Sequence, residues 1–149
     1  MIQRIQSIYL LVVTILMVIC LCNSVGSIIA STNEISSFGN LCITLPDGTK
    51  DYSTWALFAI LLVVAALSFG TIFLFKKRML QIRLTIFSSV MLIGYYITLV
   101  AYIFMLAEDA SFTPSWIICL PFIGLVLNWL AIRSIGADEA LVKAYDRLR

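Results

Sequence analysis

The sequence has no histidine. That removes the commonest metal ligand and the side chain that titrates near neutral pH. Charge is scarce: Asp, Glu, Lys and Arg make up 12% of the 149 residues, against about a quarter in a soluble domain. Cysteine occurs four times, as Cys20, Cys22, Cys42 and Cys119, with no C-x-x-C pair, so zinc-binding and dithiol motifs have no support. No basic face exists outside short stretches that flank apolar runs, which argues against a nucleic-acid partner. No nucleophile–base pair is visible, and no carboxylate pair sits where a reaction could use it. The expectation is therefore a protein that is not an enzyme and needs no cofactor or metal.

What the chain has in abundance is apolar surface. Hydrophobic residues make up 62% and the mean hydropathy is +1.05. So little charge cannot clothe a water-facing surface, and the fold class expected is an all-α membrane protein. A single domain over residues 1–149 would form a bundle of four transmembrane helices, spanning approximately 5–28, 54–75, 84–106 and 115–132. The first run is too long for a signal-peptide core of about 7–15 residues and is read as a retained span. None of the four spans carries Asp, Glu, Lys or Arg. In the second, Ala66-x-x-x-Gly70 offers small positions for close helix approach.

Between the first two spans, Leu41-Cys42-Ile43-Thr44-Leu45 alternates as a strand does. Pro46-Asp47-Gly48-Thr49 is turn chemistry, since Pro fixes φ and Gly admits positive φ. A small outer β-hairpin over 41–53 is expected. Ser53 or Thr54 can cap the second helix. Thr113-Pro114 reads as the start of the fourth, with a cap followed by Pro at the first helical position. Pro121 should kink that helix, and Gly124 and Asn128 follow on its face. Leu141, Ala144, Tyr145 and Leu148 make an apolar stripe, so residues 138–149 read as a separate short C-terminal helix. Glu139 and Lys143 form an i,i+4 pair within it.

Topology follows from basic residues. Lys76, Lys77, Arg78 and Arg83 crowd one short connection, and Lys50 is the only one of the ten Lys and Arg residues that falls on the opposite side. Both termini and the basic loop are therefore assigned to the cytoplasm. Trp55 and Trp116 would then mark the outer interface. All four cysteines lie toward the outer side, where an oxidising compartment permits a disulfide between Cys22 and Cys42. Within the membrane the polar candidates are Asn128, Ser88, Ser89 and Tyr95. Lipid offers them no partner, so they should meet one another or a neighbouring helix.

Three separated stretches stand out together: Met1-Ile2-Gln3-Arg4-Ile5-Gln6-Ser7-Ile8-Tyr9-Leu10 at the start, Phe75-Lys76-Lys77-Arg78 through Leu80-Gln81-Ile82-Arg83-Leu84 in the middle, and Asp138-Glu139-Ala140-Leu141-Val142-Lys143-Ala144-Tyr145-Asp146-Arg147-Leu148-Arg149 at the end. With them the whole chain resembles a domain-of-unknown-function family of small four-span inner-membrane proteins from Gram-negative bacteria. The resemblance implies a multi-pass protein of the bacterial inner membrane and supplies no activity, substrate or catalytic residue. All three stretches fall on the cytoplasmic side of the topology. A docking surface for a protein partner or lipid headgroups is therefore expected there, with Arg4, Lys76, Lys77, Arg78, Gln81, Arg83, Asp138, Glu139 and Arg147 as contacts.

The first functional expectation is a non-enzymatic accessory or scaffold protein that binds a partner protein, or a second copy of itself, at the cytoplasmic face. The alternative is a small transporter, channel or lipid-binding protein with a polar cavity near Asn128. A solid apolar core would favour the first, and a deep, polar-lined cavity reaching mid-membrane would favour the second.

Overall fold

The computed structural model describes residues 2–30, 34–74, 77–106 and 110–147; the side chains of residues 2–6, 106 and 146 lie outside the description. Four helices form a bundle with a small sheet at one end. Helix α1 runs Ile2–Cys22 and gives way to strand β1, Ser24–Ala30. Strands β2 (Ile35–Gly39), β3 (Ile43–Thr44) and β4 (Lys50–Asp51) follow. A 3-10 turn over Tyr52–Thr54 leads into α2, Trp55–Phe73. Helix α3 spans Arg78–Leu106, β5 spans Ala110–Pro114, and a second 3-10 turn, Trp116–Ile118, opens α4, Cys119–Arg147.

The strands form one sheet in the order β4-β3-β2-β1-β5. β1 is central and pairs antiparallel with both β2 and β5, Ser27 lying opposite Ser37 on one side and Thr113 on the other. Every described helix enters or leaves the sheet at the same end of the bundle. The start of α1, the end of α2, the start of α3 and the end of α4 therefore lie at the opposite, far end. Each helix packs on two others, in the cyclic order α1-α2-α3-α4.

The helix packing is legible residue by residue. Buried positions alternate by three and four, the period of a knobs-into-holes seam. They are Leu10, Val13, Met17 and Cys20 on α1, and Leu57, Leu61, Val64, Ser68 and Thr71 on α2. On α3 they are Gln81, Thr85, Ser88, Leu92, Tyr95 and Leu99, and on α4 Asn128, Ala131, Ile135 and Asp138. The other faces are apolar and exposed, as at Ile97, Phe104, Phe73 and Val90. Among the described residues, three helical stretches are long and apolar enough to cross a membrane: Tyr52–Phe73, Arg78–Met105 and Trp116–Tyr145, of whose most apolar windows only 28%, 22% and 22% is buried. In α1 the described apolar stretch, Ser7–Cys22, is shorter.

Several sequence expectations are corrected. The first helix does not reach residue 28. Ile28 and Ile29 are β-branched and find strand partners on both sides, so Ser24–Ala30 leaves the helix for the sheet. The 41–53 hairpin is present as β3 and β4, with Gly48 at φ +78° in its turn and Leu45 N–H donating to Thr49 O at 3.0 Å, but it is the margin of a five-stranded sheet. Asp51 caps the turn before α2 by accepting from Ser53 N–H at 3.1 Å, while the Thr54 hydroxyl donates to Gly39 O at 3.1 Å. Thr113 and Pro114 belong to β5. Pro is tolerated there because β5 is an edge strand. Pro121 is the third residue of α4, in the first turn, where a missing N–H costs no helical bond. The Ala66-x-x-x-Gly70 face packs on none of the described residues: Ala66 is exposed and Gly70 has open space beside it. Finally, 138–149 is no separate helix, because α4 continues unbroken to Arg147. The sequence between Arg133 and Asp138 holds no proline, and one glycine costs a helix only about 1 kcal/mol.

Candidate functional site

The seam changes character along its length. Toward the sheet end its buried side chains are Met17, Leu57, Leu61, Val64, Leu92 and Leu99, closed over by the Tyr95 network. Toward the far end they are Ser68, Thr71, Gln81, Thr85, Ser88, Asn128 and Asp138, with Leu10, Ala131 and Ile135 among them. Two polar assemblies result, one in each half.

At the sheet end, Asn40 follows β2 and is buried. Its Nδ2 donates to Cys20 O at 2.7 Å, and its Oδ1 accepts from the Tyr95 hydroxyl at 2.9 Å. Two further tyrosines of α3 act as ties. The Tyr96 hydroxyl donates to Ile118 O at 2.6 Å, where α4 begins, and the Tyr102 hydroxyl donates to Ser53 O at 3.0 Å, where α2 begins. Ser115 N–H donates to Val25 O at 2.9 Å and fixes the entrance of α4 to the central strand. The close fit of β1 against β5 requires glycine at 26: a Cβ there would lie 2.6 Å from Phe112 Cζ and 2.7 Å from Thr113 O.

In the far half, Asn128 Nδ2 donates to Ser88 Oγ at 3.2 Å, bridging α4 and α3. Asn128 Oδ1 and Ser68 Oγ are buried and have no hydrogen-bond partner among the described residues. The neighbouring hydroxyls turn back on their own helices: Thr85 donates to Gln81 O at 2.8 Å, and Thr71 to Leu67 O. Just above, toward the sheet, Gly124 lets α4 approach α1 and α3; a Cβ there would fall 2.9 Å from Met17 Cε.

The sequence candidates therefore separate. Asn128 makes the interhelical bond expected of it, and its partner is Ser88. Ser89 donates instead to Thr85 O at 2.9 Å on its own helix. Tyr95 belongs to the Asn40 assembly, about 10 Å nearer the sheet by helical rise. Of the basic set, Lys77, Arg83 and Arg147 are exposed and Arg78 is partly so. Gln81 is 2% exposed and Asp138 9%, so these two turn into the bundle rather than onto a common outer surface. Glu139 pairs with Lys143 at 3.0 Å. Lys76 and the side chain of Arg4 lie outside the described residues. Cys22 and Cys42 are free thiols, so the proposed disulfide is absent. Cys22 lies two residues, roughly 200° of helix, beyond Cys20. It is Cys20 that faces the β2–β3 turn, through Asn40, while Cys22 is exposed.

Sequence reading missed Asn40, Ser68, Thr71 and Thr85. The last three were available in the spacing, since Ser68/Thr71 and Gln81/Thr85/Ser88 repeat by three and four. Asn40 carried no such signal. Elsewhere, an apolar groove of about 350 Å³ is lined by Ile19, Asn23, Trp116, Ile117 and Leu120 at the sheet end. Among the described residues no group of His, Cys, Asp and Glu side chains is placed to hold a metal ion. No curated protein matches the chain. Residues 2–148 match the family described as Domain of unknown function (DUF4293), and the chain belongs to that family.

Proposed function

We propose that the chain is an integral membrane protein that crosses the bilayer four times and acts by binding, taking a polar molecule or lipid headgroup into the far half of its bundle. The outward apolar faces support the membrane placement, because a water-soluble monomer rarely exposes so continuous an apolar surface. The basic residues support the orientation. By chain position Lys50 alone belongs to the sheet end, and the other Lys and Arg residues belong to the far half or its end. The sheet is then external and both termini are cytoplasmic, in the bacterial inner membrane. Trp55 and Trp116, both exposed at the sheet end, suit an outer interface.

The observation that carries the binding reading is the polar seam itself. Buried hydroxyls and amides fill the cytoplasmic half, and two of their polar atoms are unpaired. A scaffold needs no such interior. Native mass spectrometry of the full chain released from lipid nanodiscs tests the reading. A small polar molecule or specific lipid should accompany the wild type and be lost from Asn128→Leu. An empty wild type that is folded and monodisperse would sink it.

A second reading, a cytoplasmic docking element, rests on the end of α4. There Leu141, Val142 and Tyr145 are all exposed, on a helix that outruns the bundle. A photo-crosslinker at position 145 would trap a protein partner in intact cells if this reading holds. Crosslinks to lipid alone would remove it.

A further inference from the structure

We infer that the groove between the end of α1 and the entrance of α4 is a lipid site, holding one acyl chain of a phospholipid from the outer leaflet. The inference rests on the membrane placement proposed above and on nothing in the far half. The groove arises from how the two helices are joined. Gly124 brings them close at Met17, where a Cβ on residue 124 would fall 2.9 Å from Met17 Cε. Ser115 N–H donates to Val25 O at 2.9 Å and joins the two chain segments again at the sheet. Between these two pins both segments leave regular helix. α1 ends at Cys22, and α4 is entered through the 3-10 turn Trp116–Ile118. The side chains there leave about 350 Å³ unfilled.

The groove follows the two helices, so it lies along the bilayer normal, as an acyl chain does. Trp116 is 84% exposed and suits the outer interface. Leu120 is four residues further along the chain, about 6 Å deeper. Polarity falls along the same line. The polar side-chain atoms of the lining belong to Asn23 and Trp116, at the end nearest the sheet, and Ile19, Ile117 and Leu120 form the walls. The indole N–H of Trp116 is a donor of the kind that an ester carbonyl accepts.

Water does not suit such walls, because a water held in protein needs about two to four polar partners. An empty groove leaves wall atoms without neighbours and forfeits their dispersion contacts. A partner's helix, about 10–12 Å across with its side chains, is too wide for a space of this size. An alkyl chain is narrow and apolar, and it enters from the open side, where Ile19 is 43% exposed. In the groove it touches two helices. On an outward face such as that of Val90 and Ile97 it meets one. The second wall is what retains it, since lipid and side chains are equally apolar and burial alone gives no preference.

Photolabelling in the bilayer tests this. The full chain is reconstituted in vesicles of phosphatidylethanolamine and phosphatidylglycerol. A fraction of the phosphatidylethanolamine carries a diazirine on one acyl chain, close to the glycerol. Light expels dinitrogen and leaves a carbene that inserts into a neighbouring bond, and tandem mass spectrometry reads the labelled residues. Ile97 is the control: it is 67% exposed, and it adjoins Tyr96, whose hydroxyl reaches Ile118 O, so it lies at about the depth of the groove. Labelling at Ile19, Ile117 and Leu120 should exceed that at Ile97 several-fold. Equal labelling would overturn the site, because bulk lipid alone gives that result. Labelling well below Ile97 would mean that a second copy of the chain covers the groove, and would overturn it too. Leu120→Trp fills the groove and should bring Ile19 and Ile117 down to the level of Ile97. Ile19→Trp, at an already exposed position, does the same from the α1 wall if Leu120→Trp does not fold. Undiminished labelling in a folded filled variant would overturn the site. Asn128→Leu should leave the labelling unchanged, so this site and the far-half binding reading fail independently.

Discussion

Two asparagines divide this molecule. Asn40, under the sheet, donates to Cys20 O and accepts from Tyr95, so both ends of its amide are engaged. Asn128, in the far half, donates to Ser88 and leaves its carbonyl oxygen unpaired. Both are buried. The difference separates a polar group used to join elements from one left open. A fully satisfied buried network adds rigidity and specifies one packing, whereas a partly satisfied one leaves an energetic debit that a guest can remove. Around Asn40 the chain adds tie upon tie: Tyr96 to the start of α4, Tyr102 to the start of α2, and Ser115 to β1. Around Asn128 the hydroxyls of Thr85 and Thr71 bond only within their own helices.

The strongest way to break this contrast is to loosen the sheet. Gly26→Val places a Cβ against the Phe112 ring and Thr113 O, and a backbone atom of the partner strand cannot swing aside. Overpacking of this kind costs about 1–3 kcal/mol, and the β1–β5 pairing goes with it. Unfolding in detergent should show a loss at the upper end of that range. The position of Asn40 depends on β2, which pairs with β1, so its bond to Tyr95 should weaken too. Retention of wild-type stability would mean that the sheet does not hold the bundle's end together.

Asn40→Leu asks the same question of one side chain. It strands the Tyr95 hydroxyl and the Cys20 carbonyl in an apolar setting, each at a cost of about 1–3 kcal/mol, so a total of at least about 2 kcal/mol is expected in the same unfolding measurement. Tyr95→Phe removes one hydrogen bond and keeps the ring. It should cost about 1 kcal/mol. If the two variants were equally mild, the network would be incidental to packing.

The sequence made part of this contrast readable and hid the rest for a physical reason. Residues that contact only within a helix, or across helices at three-and-four spacing, leave a periodic trace. The long apolar helical stretches and the Asn128 and Ser88 positions were therefore accessible, and the Pro46–Thr49 turn was readable from its own local chemistry. β1 and β5 pair across eighty residues or more, and no local pattern in Ala110–Pro114 announces its partner. Ser24–Ala30 follows a long apolar helix; Asn23-Ser24 and Gly26-Ser27 interrupt the hydrophobicity, but the short apolar run Ile28–Ala30 that follows reads equally as helix or strand. Asn40 owes its role entirely to that sheet, which is why it was invisible. The separate C-terminal helix was an error of another kind: an amphipathic stripe was taken for a new element when it was the exposed continuation of α4.

The smallest effect carries the sharpest contrast. Ser68→Ala deletes a buried hydroxyl of about the same depth in the bundle as Ser88, yet it has no bond to lose. Removing an unpaired buried group does not incur the penalty of stranding a partner, so stability should move by no more than about 0.5–1 kcal/mol in either direction. The direction is informative. In a dry seam the hydroxyl is a pure liability, and alanine should stabilise. In a wetted one the hydroxyl is already satisfied by water, and alanine should be neutral or slightly destabilising. Asn128→Leu extends the test, because it removes the unpaired oxygen together with the bond to Ser88. A clear gain in stability from both variants would mark the far half as an ordinary core with two misplaced polar atoms. Near-neutral changes, beside the loss of at least about 2 kcal/mol expected at Asn40, would mean that the far half had water as a partner all along.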